Sequence, residues 1–424
     1  MNPFLPRVFR SRVVQALAFG ALGLSAAYVL AQGKPPTEKE VEARKAMGGY
    51  VPERMKNPYL TGNPPKLTVT PLEEIPLKDI KVPPGFQVEI WAHGMPGNRM
   101  MARGDKGTVF AGTRAIGRVY AIMDKGGQRT HKIIAEKLNQ PNGVLFHNGS
   151  LYIAAIHRVF RYDNIEAALA KDEVPTPVDM TDAFKLPTEV HHNWKFLALG
   201  PDKKIYFQVG SPCNVCEINK EVHGQIRRYN LDGSGMEIVA RGVRNSVGFD
   251  FHPKTGELWF TDNGRDWAGE DGPEEELNRL PANKIGANFG FPYCHANGIP
   301  DPDFKIPNPC ANVELPVITL GAHAAALGMR FYTGKMFPAE YSEAVLIARH
   351  GSWNKTERNG YDVVMVKATP DGKNAKMTPF ITGFMDPAKN TFWGRPTDVM
   401  LMPDGSLLVS DEQMGAIYRV SYKR

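Results

Sequence analysis

The sequence predicts an all-β chain folded as a single six-bladed β-propeller, and three observations carry that prediction. An apolar strand, a tight turn with Pro, Asp, Asn or Gly, and a second apolar strand recur along the chain. The recurrences fall at steps of blade length. Gly 41 and Pro 34 in 424 residues favour many turns and short strands over long helices.

The second strands of the hairpins begin near Thr108-Val-Phe-Ala-Gly, Ser150-Leu-Tyr-Ile-Ala, Lys204-Ile-Tyr-Phe-Gln, Glu257-Leu-Trp-Phe-Thr-Asp and Ser406-Leu-Leu-Val-Ser-Asp. A weaker copy runs Tyr341-Ser-Glu-Ala-Val-Leu-Ile-Ala-Arg. From Val109 through Leu151, Ile205, Leu258 and Leu346 to Leu407 the steps are 42, 54, 53, 88 and 61 residues. Six copies predict six blades, and the long step predicts an insertion between about 265 and 335. The strand Phe86-Gln-Val-Glu-Ile-Trp is expected to pair with Ala416-Ile-Tyr-Arg-Val, closing the ring and removing exposed strand edges. A seventh blade or a β-sandwich is the alternative.

The ends set the compartment. Arg7, Arg10 and Arg12 precede an apolar run from Val13 to Ala31 that ends in small residues, which reads as a secretory signal over residues 1–31 cut after Ala31. The alternative is an uncleaved anchor, since such a run just spans a bilayer. The chain is therefore expected in the periplasm or outside the cell, membrane-attached only if the leader is retained. Residues 32–80 are rich in Pro, Lys and Glu without a sustained period and read as an extended arm. Residues 81–424 form the propeller. The net charge of +6 includes the leader arginines, and no basic cluster is interleaved with aromatics, so no nucleic-acid partner is expected. In an oxidising compartment the four cysteines predict two disulfides, 213–216 and 294–310 by closeness in sequence. Glu217 stands where haem attachment needs His.

Propellers place their sites on the axial channel and the loops of one face, so polar residues at strand entries and exits are the candidates. His191-His192-Asn193-Trp194 offers a base near neutrality. Arg244-Asn245 offers a cation and an amide for an anionic cofactor or a developing oxyanion. Thr261 to Asp266 and Glu270 to Asn278, with Gly264 and Glu276 among them, are dense in the hard oxygens Ca²⁺ takes, without EF-hand spacing. Arg349-His350 and Trp393-Gly-Arg395 put arginine beside aromatics, suited to a flat carboxylated cofactor.

In this order the clusters resemble the soluble quinoprotein sugar dehydrogenases, particularly the sorbosone dehydrogenase-like branch. The resemblance rests on His192 followed by Leu199-Gly-Pro-Asp, Arg244-Asn245, Asn263-Gly264, Glu276-Leu-Asn, Asn288-Phe-Gly-Phe-Pro-Tyr-Cys and Arg395-x-x-Asp. It implies a six-bladed propeller binding pyrroloquinoline quinone (PQQ) and Ca²⁺ over the channel and oxidising an aldose or sorbosone. His192 matches the family's general base, and Arg244 its carbonyl-polarising arginine, with Asn245 beside it on the cofactor. Gly264 and Arg265 match two backbone-carbonyl ligands of the metal. Arg349, or His350 one place on, and Arg395 match the residues holding the cofactor's carboxylates. His191, Arg265 and Thr397 depart from the pattern of the glucose-oxidising members, which have an acid, a proline and a second arginine there, so the departures leave the sugar open and glucose is not assumed. No haem motif lies in the chain, so a separate electron acceptor, quinone or cytochrome, is expected. Two rivals share the shape: a Ca²⁺-dependent lactonase, for which the chain offers Asp262 and Asp411, and a binding propeller without cofactor.

Overall fold

A computed structural model describes residues 54–57 and 60–423; the leader and its cleavage lie outside them. Six sheets stand around one axis, antiparallel throughout except that Ala287–Asn288 adds in parallel to the edge of blade 3. Blade 1 runs through Asn98–Arg103, Val109–Thr113, Val119–Lys125 and Gln128–Ala135. Blade 2 runs through Gly143–His147, Ser150–Ala154, Val159–Tyr162 and Val178–Asp179. Blade 3 contains Leu197–Leu199, Ile205–Val209, Gln225–Tyr229 and Glu237–Arg241. Blade 4 contains Gly248–Phe251, Leu258–Asp262, Glu274–Leu280 and Ile318–Ala322. Blade 5 contains Ala326–Phe331, Val345–Arg349, Asp362–Lys367 and Lys376–Ile381. Blade 6 takes Pro396–Leu401, Leu407–Asp411 and Ala416–Tyr422 from the C-terminus and Phe86–Ala92 from the other end.

The expected closure is present: Phe86 pairs with Tyr422 and Ile90 with Tyr418. Phe86 anchors it, with its ring edge-on to Phe337, Tyr341, Phe380 and Tyr422 at 4.7–5.2 Å. The six second strands fall where the repeat places them, and four-fifths or more of each is buried. Neighbouring blades cover them on both faces, which is why Val345-Leu-Ile-Ala reads as a continuous apolar run. The outermost strand of blade 1, Gln128–Ala135, alternates towards water instead. Around the axis the inner strands approach so closely that a Cβ on Gly248 would lie 2.0 Å from the Leu327 carbonyl oxygen.

Two expectations need correction. The insertion is shorter than 265–335, because Glu274–Leu280, Ile318–Ala322 and Ala326–Phe331 are blade strands; the extra chain is 281–317, holding the hairpin Cys294–His295 with Ile299–Pro300. The acidic run from Glu274 to Asn278 is a strand, not a loop of hard oxygens. The carboxylates of Glu275 and Glu276 are taken up by protein N–H groups, as described below. Both disulfides, Cys213–Cys216 and Cys294–Cys310, are formed. Among the described residues no helix is long and apolar enough to cross a membrane.

Candidate functional site

One geometric rule generates the site. In each blade the start of the inner strand pairs with the end of the second strand, as Asn98 with Thr113, Gly143 with Ala154, Ala326 with Arg349 and Pro396 with Asp411. Residues just before the first and just after the second therefore meet at one rim of the channel. There they line a cavity of about 520 Å³, within the usual range for small-molecule sites. All six blades contribute: Arg99 and Arg114 from blade 1, Gln140 ahead of blade 2, and His191, His192 and Trp194 ahead of blade 3. Blade 4 gives Arg244, Asn245, Asn263 and Gly264, blade 5 gives His350 and Asn354, and blade 6 gives Arg395 and Glu412.

His192 sits in left-handed backbone (φ 52°), and Gly210 faces it so closely that a Cβ there would lie 2.3 Å from the His192 carbonyl oxygen. The His192 Nδ1 is 3.1 Å from the Ser211 carbonyl oxygen. A carbonyl only accepts, so Nδ1 carries the proton and Nε2 keeps a lone pair, the form a base needs. Burial, then the Arg244 charge, then His191 at 4.0 Å between ring centroids, hold its pKa well below the ordinary value. It is neutral at working pH.

Arg244 is buried and fixed from three sides. Its Nε donates to the Asn214 carbonyl (2.8 Å), Nη2 to Asn214 Oδ1 (2.7 Å) and Asp266 Oδ2 (3.1 Å), and Nη1 to the Asn263 carbonyl (3.1 Å). Of five guanidinium N–H groups these bonds engage four. Asn214 also accepts from Asp266 N (2.8 Å) and donates to its carbonyl (3.1 Å), so the disulfide loop Cys213–Cys216 locks the arginine to the 263–266 turn. Asn245 presents a buried Oδ1 with no partner among the described residues.

Carboxylates at the strand ends shape the loops. Asp262 accepts the N–H groups of Arg244, Asn245 and Asn263 at 2.7, 2.6 and 3.1 Å. Asp411, at the same position in blade 6, accepts those of Arg395, Gln413 and Met414. Burial pushes both carboxyls up to about 6, against these bonds. Neither is turned into the channel as the lactonase reading requires. Glu275 accepts from Gly264 N (2.6 Å) and Ala325 N (3.0 Å), and burial raises it to about 8. Among the described residues no group of three His, Cys, Asp or Glu is arranged to hold a metal.

The expected site residues divide. His192, Arg244, Asn245, Gly264, His350 and Arg395 share the cavity; Arg265, Glu276 and Arg349 are not among its lining. Arg349 ends its strand turned between blades 5 and 4, where Asp362 takes Nε and Nη2 at 2.7 and 2.5 Å and the blade 4 carbonyl of Leu320 takes Nη1. His350, one residue on, reaches the wall, with Nε2 2.8 Å from Glu412 Oε2. The Arg265 side chain is fully buried away from the cavity on Asp301 and Asp303, tying the insertion to blade 4. Glu276 accepts from Ala296 N (2.6 Å) and Asn278 Nδ2 (2.9 Å) beside a smaller neighbouring cavity. Both of its oxygens thus serve the protein.

The comparisons with known proteins fit this geometry. The TrAA12-like family model matches residues 80–423, from the strand that closes the ring to the end of the last blade. The chain belongs to the TrAA12-like family. Its sequence is 33% identical over 355 residues to an uncharacterised protein of Borreliella burgdorferi, covering 81% of this chain and 91% of that one. It is 22% identical over 392 residues to a pyrroloquinoline quinone-dependent sugar dehydrogenase of Hypocrea jecorina, covering 79% and 87%. Among solved structures, the Trichoderma reesei family AA12 enzyme aligns with a TM-score of 0.69 at 18% identity over 86% of this chain and all of its own. The PQQ domain of Coprinopsis cinerea pyranose dehydrogenase aligns with a TM-score of 0.62 at 19% identity, over 81% and 97%. At these identities the structural likeness speaks for the fold.

Sequence reasoning missed part of this TrAA12-like cavity. Arg99 and Glu412 are paired at 2.5 Å, and Arg99 Nε donates to Asn142. The Arg114 guanidinium stacks on Trp194 at 3.9 Å and donates to Gln140. Arg114, Asn263, His350 and Glu412 are each the first residue after a second strand, so the repeat itself carried the signal. Gly62, Asn63 and Pro65 of the arm also line the cavity, and no signal in the sequence marked them.

Proposed function

We propose that this chain is an exported quinoprotein dehydrogenase that oxidises a sugar or sugar aldehyde of the aldose and sorbosone class, with PQQ as cofactor and Ca²⁺ beside it. The observation that carries the reading is the convergence of four arginines, an orphaned buried amide oxygen and a tautomer-fixed histidine on one axial cavity. Family membership supports sugar oxidation in general. PQQ is a planar tricarboxylate: Arg99, Arg114 and Arg395 would take its carboxylates, and Asn245 Oδ1 and the remaining Arg244 N–H would meet its ring edge. When bound, it supplies the two-electron acceptor. The carbonyls of Gly264 and Arg265 would hold Ca²⁺, since the nearby carboxylates are engaged by backbone N–H groups or, for Asp266, by the Arg244 and Asn354 side chains.

The residues divide the work. His192 Nε2 takes the proton from the sugar hydroxyl as the C–H hydrogen leaves with its electron pair. Ser211 keeps that nitrogen unprotonated through the other side of the ring. Arg244, held rigid by Asn214, presents positive charge where negative charge develops. A separate quinone or cytochrome would serve as the external electron acceptor. The leader and the two disulfides support a periplasmic or secreted location.

Reconstitution tests this. Purified protein supplied with PQQ and Ca²⁺ is expected to reduce a redox dye in the presence of an aldose or sorbosone. His192→Ala should lower turnover ~10²–10⁴-fold while still binding quinone. Wild-type protein that takes up no quinone at micromolar concentration would refute the proposal.

A further inference from the structure

The arm is not a mere tether. Its described residues, from Arg54 on, cross the rim on the blade 5 side and supply Gly62, Asn63 and Pro65 to the cavity wall. Arg54, Met55, Lys56 and Asn63 fix it there. Met55 packs with Trp267, beside Leu60 and Trp353, and the two tryptophan rings meet edge-on at 5.3 Å. Lys56 N donates to Glu270 Oε1 at 3.0 Å, and Arg54 reaches Asp303 at 3.4 Å. Asn63 Nδ2 donates to the Ser352 carbonyl (3.4 Å) and Tyr361 Oη (3.3 Å), while its Oδ1 accepts from Arg358 (3.3 Å). Further on, Ile75 and Ile80 sink into the core of blades 5 and 6.

We infer that this stretch is a wall of the substrate subsite and sets the length of sugar accepted, with Gly62 and Asn63 as its specificity-determining residues; the inference rests on the dehydrogenase reading. His192 stands on blade 3, so a sugar whose reacting carbon lies against it and which extends towards blade 5 meets the arm. Asn63 directs both N–H groups and its Oδ1 to protein partners, which makes it the pin that holds the wall rather than a sugar ligand. Gly62 is the complement: a Cβ there meets nothing within 4 Å, so a side chain enters open space without disturbing the fold. Pro65 adds an apolar face of the kind a sugar's C–H groups pack on. A mouth bounded in this way suits a mono- or disaccharide rather than the end of a longer chain.

The test uses holoenzyme and a series of aldoses from mono- to trisaccharide, with KM measured for each. Asn63→Ala loosens the wall and should lower the ratio of trisaccharide to monosaccharide KM about tenfold; Gly62→Leu should raise the disaccharide-to-monosaccharide ratio by a similar factor. Quinone titration of the apoprotein separates wall from cofactor site, and both variants should bind quinone as the wild type does. KM values that move in proportion along the series, or not at all, overturn the inference, as does a change confined to quinone affinity. If wild-type protein oxidises no sugar, the dehydrogenase reading fails by itself; calorimetric binding of the same sugars to the apoprotein then decides the wall, and ratios equal in wild type and variants overturn it.

Discussion

Asn214→Ala probes how the site is held together. Three of the side chain's bonds bear on the site: a buried one from Arg244 Nη2 at 2.7 Å, and partly buried ones from Asp266 N at 2.8 Å and to the Asp266 carbonyl at 3.1 Å. The first, to a charged group, is worth about 1.5–3 kcal/mol and the neutral pair about 1 kcal/mol each. Up to ~3–5 kcal/mol of local stabilisation is therefore at stake, but only the first bond aims the arginine. Arg244 keeps Asn263, Asp266 and the Asn214 backbone carbonyl, which survives the substitution. A loss of ~2 kcal/mol from its placement corresponds to ~30-fold in rate at 1.36 kcal/mol per decade. The expected result is a ~30-fold fall in kcat/KM with the dye-linked assay, carried mainly by kcat. Asn214→Asp keeps the acceptor for Arg244 and for Asp266 N and should recover most of it. A folded Asn214→Ala protein within twofold of wild type would show that the disulfide loop does not orient the cation.

Three other outcomes follow from the same geometry. Burial, with Arg244 nearby, lowers His191 to about 4, so below pH 6.5 the unfolded chain takes up a proton that the folded chain refuses. Stability is therefore lost as pH falls from about 6.5 towards 4, and His191→Asn should gain ~2 kcal/mol on wild type between pH 7 and pH 5 in urea titrations. Arg349→Ala breaks a buried bidentate pair with Asp362 and should cost ~3–5 kcal/mol while leaving quinone affinity unchanged, whereas Arg395→Ala should weaken quinone binding. Phe86→Ala opens the aromatic cluster at the ring closure and should cost ~3–5 kcal/mol in thermal or denaturant unfolding.

The propeller was legible because each blade needs one strand buried on both faces next to a tight turn, and six such strands survive as apolar runs at measurable steps. The insertion was misjudged because Glu274-Glu-Glu276 looks like a solvated loop; charged residues enter a buried strand here only because loop N–H groups wait for Glu275 and Glu276. His192, Arg244 and Arg395 were visible as polar breaks at strand entries. The choice between Arg349 and His350 was left open in the sequence; consecutive side chains of a strand point oppositely, and only His350, past the last rung, lines the cavity. The arm was illegible for a different reason. An irregular segment has no period, and its position comes wholly from tertiary contacts such as Asn63 with Ser352 and Met55 with Trp267.

The most direct test of the central claim is a crystal structure of the protein grown with PQQ and Ca²⁺. The account predicts the quinone in the axial cavity, its carboxylates on Arg99, Arg114 and Arg395 and its ring edge at Asn245 Oδ1, with His192 Nε2 facing open space above it. Quinone seated elsewhere on the molecule, or an axial cavity still holding only solvent at saturating cofactor, would contradict it.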